Sequence, residues 1–108
     1  TTVARPPLKS PHAGEAGGLS GAPLKALALE RLRDFRRASG DAIPLIAAGG
    51  IASADDAWAR IRAGASLVQL YTALVYHGPG LARRIAAGLV ERLERDGFAS
   101  VAEATGAD

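Results

Sequence analysis

Two short apolar runs, each stopping abruptly at residues suited to a backbone turn, dominate the hydrophobic pattern. Residues 43–48, Ile-Pro-Leu-Ile-Ala-Ala, end at Gly49-Gly50, and residues 66–71, Ser-Leu-Val-Gln-Leu-Tyr, end at Thr72. Each run is too short for an independent helix and reads as a strand buried on both faces. Around them the period changes to that of helices. Pro23 stands where a first helical residue would, Leu24, Ala28, Leu32 and Phe35 follow at three- and four-residue spacing as one buried stripe, and Gly40 stops the helix. Between the strands, Ser53 caps a second helix with Asp56 three residues on, Ala57 and Ile61 form its apolar face, and Gly64 ends it. Residues 72–76 suit one helical turn. From Pro79 a final helix carries Leu81, Ile85, Leu89 and Leu93 at a strict four-residue period until Gly97, and the Ala-rich tail 98–108 is weakly helical.

Residues 1–21 keep no hydrophobic period and are punctuated by Pro6-Pro7, Pro11, Gly14, Gly17-Gly18 and Gly21, which predicts a loop. Thr1-Thr2-Val3 is expected to be the end of a preceding strand. The order loop, helix, strand, helix, strand, helix implies a parallel sheet. At most three strands would leave two open sheet edges and helices with too little to pack on. The expected fold is therefore α/β, the C-terminal part of a TIM (β/α)8 barrel comprising about three of its βα units, since such barrels typically need ~250 residues. Positions 1–108 are taken as one stretch of a single domain. The chain has no Met, not even at its first residue, in keeping with a segment of a longer protein.

Composition excludes several classes. A hydrophobic fraction of 48% with 22% charged residues is globular. No run approaches the length of a membrane span, and no basic-then-apolar leader opens the chain. The absence of Cys removes disulfides and thiolate metal sites. A net charge of +2 is too small to argue for nucleic acid.

The chemistry resides at the strand ends. Gly49-Gly50 falls at the C-terminal end of its strand, the face where barrel active sites form. Lacking Cβ atoms, these residues can turn sharply and present N–H groups to an anion, although a lone Gly-Gly also serves as an ordinary tight turn. Tyr71-Thr72 would add two N–H groups and a hydroxyl on the same rim, before a helical turn. The two units together favour a phosphate clamp. Gly17-Gly18-Leu19-Ser20-Gly21 lacks the Lys-Ser/Thr of a P-loop, which leaves a lid hinge, a backbone surface for a planar ligand, or a plain linker. His12 and His77 have no partner at metal-ligand spacing. Asp55-Asp56 suits a helix N-terminus, the Arg31, Arg33, Arg36 and Arg37 group suits a solvated helix end, and Trp58 suits packing.

Four segments together resemble quinone-dependent (class 2) dihydroorotate dehydrogenases: Thr1-Thr2-Val3-Ala4-Arg5-Pro6, Gly17 through Leu24, Pro44 through Ile51, and Ala63 through Leu74. Tyr76 through Leu81 and Gly97 through Ala104 are similar to that class as well, so the likeness spans nearly the whole chain. The resemblance implies an FMN-dependent oxidoreductase that oxidises dihydroorotate to orotate in pyrimidine synthesis and passes electrons to a quinone. It implies FMN contacts at Gly21 and Gly50, a phosphate hold by Tyr71 and Thr72 chiefly through backbone N–H groups, and a substrate contact at Thr1. The class's catalytic Ser base, its flavin-contacting Lys and most of its substrate-binding Asn residues match nothing in these positions, and no catalytic residue is expected in this chain. The resemblance also implies peripheral attachment to the cytoplasmic side of the cell membrane, through a segment that has no counterpart here. Two other readings stay open: a different phosphate-binding barrel oxidoreductase, and a non-catalytic chain that binds a phosphorylated ligand or oligomerises.

Overall fold

The computed structural model describes residues 2, 3 and 8–108. Short strands β1 (Thr2–Val3) and β2 (Gly18–Leu19) precede a 3-10 turn at Ala22–Leu24 and helix α1 (Lys25–Ser39). Strand β3 (Leu45–Ala48), helix α2 (Ala54–Arg62) and strand β4 (Ala65–Gln69) form the central unit. Helices α3 (Thr72–His77), α4 (Leu81–Asp96) and α5 (Val101–Ala104) complete the chain.

β3 and β4 pair in parallel, with Ile46 opposite Leu67 and Ala48 opposite Gln69, and a register shift between Leu45 and Ile46. The expected parallel pair is therefore present. The expected third parallel strand is not found among the described residues: Thr2–Val3 pairs antiparallel with Gly18–Leu19 in a separate two-stranded ribbon. Part of the stretch expected to be loop thus becomes β2. A two-residue strand is below the length at which periodicity registers, so its pairing is visible only in three dimensions.

The helices cover one face of the β3–β4 pair. Leu32, Ala47, Ile51, Ala57, Ala65, Leu81 and Ile85 are buried together, with Leu45, Val68 and Leu89 packed against them. A second cluster joins Trp58, Ile61 and Ala104 to Phe98, Leu93 and Val101. Trp58 makes an edge-on contact with Phe98 at 6.0 Å and donates its indole N–H to Asp96 Oδ2 at 3.1 Å. It is a packing residue, as its place on α2 suggests.

The other face of the sheet is open. Ile46 is 61% and Leu67 62% exposed, and Ile43 and Phe35 also face solvent. The expectation that both strands are covered on both faces is therefore corrected for this chain, as is the expected burial of Phe35. Alternation along a strand assigns Leu45 and Ala47 to the helices, and Ile46 and Ala48 to the side where the rest of a barrel interior would lie.

α2 starts as its sequence dictates. Ser53 is extended, its hydroxyl accepts from Asp56 N at 3.1 Å, and the Asp56 carboxylate accepts from Ala52 N at 3.0 Å. Among the described residues no helix is long and apolar enough to cross a membrane, and no group of His, Asp or Glu is placed to hold a metal ion.

Candidate functional site

Because β3 and β4 are parallel, their C-terminal ends emerge on the same edge of the sheet. Ala48, Gly49 and Gly50 leave β3 beside Gln69, Leu70, Tyr71 and Thr72 leaving β4. Between them lies a cavity of about 580 Å3, walled also by Ser20, Gly21 and His77. Gly21, Gly50 and the Tyr71-Thr72 pair, from three separate stretches of the sequence, all line it. Thr1 lies outside the described residues. His12 is elsewhere, exposed and 2.8 Å from Glu15.

Backbone geometry explains why glycine occupies two of these places. Gly50 has φ +71°, and a Cβ built there would stand 2.6 Å from both the Cα and the N of Lys25. The turn after β3 is wedged against the first residue of α1 and admits no side chain. Gly21 has φ +79°, and its Cβ would meet Thr72 Cγ2 at 2.9 Å. The segment entering α1 therefore leans directly on the start of α3. A hydrogen bond between the Ser20 and Thr72 hydroxyls fixes the same contact.

Polar groups behind the rim hold it in shape. Lys25 Nζ is 2.9 Å from Asp56 Oδ1, joining the N-terminal ends of α1 and α2. Burial pushes the Asp56 carboxyl up. The hydrogen bonds from Lys25, Ala52 N and Ser53, with the Lys25 charge, outweigh that and hold it below the usual carboxylate value. Arg60, on α2, is 1% exposed. Its Nη2 donates to the Lys25 carbonyl at 2.6 Å and to the Gly49 carbonyl at 3.1 Å. Sequence reading passes over this residue, because an Arg on a helix with an acidic first turn looks like part of a solvated face.

The cavity wall contains no Asp or Glu. Its residues include four that carry hydroxyls, Ser20, Tyr71, Thr72 and Tyr76, beside the backbone of a glycine turn and the first turn of α3, whose leading N–H groups have no acceptor within the helix. That donor set suits an anion and offers no nucleophile-base pair.

The match to known proteins is extensive. The sequence model of the family described as dihydroorotate dehydrogenase matches residues 1–93. The chain belongs to the dihydroorotate dehydrogenase family. It is 67% identical over 108 residues to the dihydroorotate dehydrogenase (quinone) of Novosphingobium aromaticivorans, covering 100% of this chain and 31% of that protein. To the protein of the same name from Sphingopyxis alaskensis it is 70% identical over 107 residues, covering 99% of this chain and 30% of the relative. Among solved structures, the Eimeria tenella enzyme in complex with ferulenol superposes with a TM-score of 0.92 at 43% identity, over 100% of this chain and 29% of that one. The ligand-free form from the same organism gives 0.90 at 41% identity, over 100% and 30%. The chain thus spans about 30% of the length of the dihydroorotate dehydrogenases it matches. Its fold is part of the family's TIM barrel, and the open face at Ile46 and Leu67 is where such a barrel's interior packs.

Proposed function

We propose that this chain forms the phosphate-binding rim of a single FMN-binding barrel domain, in an enzyme that oxidises dihydroorotate to orotate and delivers the electrons to a quinone. The observation that carries the reading is the meeting of Gly21, Gly50, Tyr71 and Thr72 at one cavity between two parallel strand ends. The residues suit the group. A carboxylate-free wall with clustered backbone and hydroxyl donors favours a phosphate dianion, and the Gly21 and Gly50 backbones allow a close approach.

Bound FMN supplies the two-electron acceptor chemistry. The residues of this chain bind and orient. Gly50, Tyr71 and Thr72 hold the phosphate through N–H groups, and the Ser20–Thr72 hydroxyl pair, in which one hydroxyl donates to the other, leaves one O–H to donate to the ligand. Gly21 contributes backbone surface beside it. Thr1 is assigned to substrate binding on the strength of the resemblance alone. No proton transfer is assigned to this chain, because the resemblance matches the class's proton acceptor to none of its positions. Peripheral membrane attachment from the cytoplasmic side completes the proposal and is consistent with the quinone named for the relatives.

The test is the anaerobic visible spectrum of the full-length protein carrying this chain, before and after dihydroorotate is added. Flavin absorbance that bleaches on addition is expected. A yellow protein that stays yellow would point to a different flavin barrel, and a colourless one would leave only an anion clamp.

A further inference from the structure

We infer that Arg60 is the positioning residue of the anion rim: by bridging the Gly49 and Lys25 carbonyls from beneath the sheet edge, it turns the Gly50 N–H toward the cavity and so sets the site's preference for a phosphorylated ligand. The inference rests on the flavin-phosphate reading above.

In a planar trans peptide the C=O of one residue and the N–H of the next point in opposite directions. The Gly49 carbonyl is drawn to Arg60 Nη2 at 3.1 Å, and Arg60 is buried outside the cavity wall to which Gly49 and Gly50 contribute. The N–H of the same peptide, on Gly50, therefore points away from Arg60. A glycine pair with φ +99° and +71° has several peptide orientations open to it, so something must select one.

Arg60 selects it at both ends of the contact. The nitrogen that holds Gly49 also holds the Lys25 carbonyl at 2.6 Å, and Lys25 is the residue against which Gly50 is wedged. One buried cation thus ties the turn after β3 to the start of α1. A charged donor polarises the peptide it binds, which makes the N–H on the far side a better donor to an anion. Arg60 stays cationic: burial pushes its pKa down and nearby Arg33 adds to that, while Asp56 acts against both. A buried guanidinium with its Nε unpartnered is costly to fold around unless the carbonyls it holds matter.

The experiment compares FMN with riboflavin, which lacks the phosphate, by fluorescence titration of full-length protein stripped of flavin, with thermal midpoints recorded alongside. Arg60→Met and Arg60→Gln both remove the bridge, the second because its amide is too short to reach. Either folded variant should lose about 10- to 100-fold in FMN affinity while riboflavin affinity stays within about threefold. Arg60→Lys, which offers one cationic nitrogen as the native contact does, should retain most of the preference for FMN. It serves as the deciding variant where the other two do not fold, and loss of the preference in folded Arg60→Lys overturns the bridge. Equal weakening of both flavins assigns Arg60 to general stability and overturns the inference. Unchanged FMN preference in Arg60→Met overturns it too, while leaving the flavin reading intact. A wild-type protein that binds no flavin removes the flavin reading and this inference with it.

Discussion

Gly50 is packed against Lys25 so tightly that a single added carbon would lie 2.6 Å from two of its backbone atoms. Neither atom can swing aside as a side chain would, because Lys25 opens α1 and its carbonyl is held by Arg60. Gly50→Ala combines this overlap with a left-handed backbone, and should destabilise the full-length protein by about 2–4 kcal/mol. Its flavin content after purification should fall in parallel. Gly97 provides the comparison: it is left-handed with φ +78° but no atom lies near its missing Cβ, so Gly97→Ala should cost only about 1 kcal/mol. Urea unfolding of the two variants checks the difference, and equal losses would remove the steric argument.

Thr72 and Tyr71 are adjacent on the rim but are expected to contribute differently. The Thr72 hydroxyl is held by Ser20, whereas the Tyr71 side chain is 80% exposed, and the proposed clamp uses only its backbone N–H. Thr72→Val keeps the shape that meets Gly21 and deletes the hydroxyl. FMN affinity should drop about 10-fold. Tyr71→Phe should alter the same affinity by less than about twofold. Calorimetric titration of flavin-free protein with FMN distinguishes the two, and a larger effect at Tyr71 would mean that its phenol, not its N–H, meets the ligand.

Asp56 gives stability a pH dependence with a definite sign. Its folded-state pKa lies below the ordinary 3.8, so the unfolded chain takes up the proton first as pH falls. The contribution is fully present above about pH 5 and is lost as pH drops through the depressed folded value, below 3.8. Asp56→Asn should therefore destabilise by about 1 kcal/mol at neutral pH and match the wild type near the acid limit. Denaturation curves at a series of pH values test this. A wild-type-to-variant difference that grows on acidification would contradict it.

What the sequence discloses and what it conceals divide along physical lines. The strand ends at Gly49-Gly50 and Tyr71-Thr72 were legible because turn residues interrupt apolar runs, and the Ser53–Asp56 cap because both partners lie within four residues. The β1–β2 ribbon was not, since two-residue strands carry no period. Phe35 misled for another reason. Its spacing assigns it correctly to the stripe of α1, but period reveals a face and not whether anything covers that face. Arg60 was concealed most completely: the carbonyls that account for its burial belong to Lys25 and Gly49, remote in sequence and contributed by the backbone, which every residue has.

Ile46 and Leu67 make a last prediction whose sign changes with context. They stand opposite each other in the β3–β4 register, and both are more than 60% exposed in this chain. In a complete barrel the same positions point into the packed interior. Covering one such side chain stabilises by roughly 1.5–3 kcal/mol, so the double substitution Ile46→Thr with Leu67→Thr should destabilise the full-length protein by about 2–5 kcal/mol. In the isolated 108-residue chain no described residue covers the patch, and the same pair of changes should reduce self-association and the binding of an apolar dye. Sedimentation of the isolated chain and urea unfolding of the full-length protein read the two arms. If the substitutions destabilise both, the face is already packed without the rest of a barrel. If they destabilise neither, these strands do not face a barrel interior.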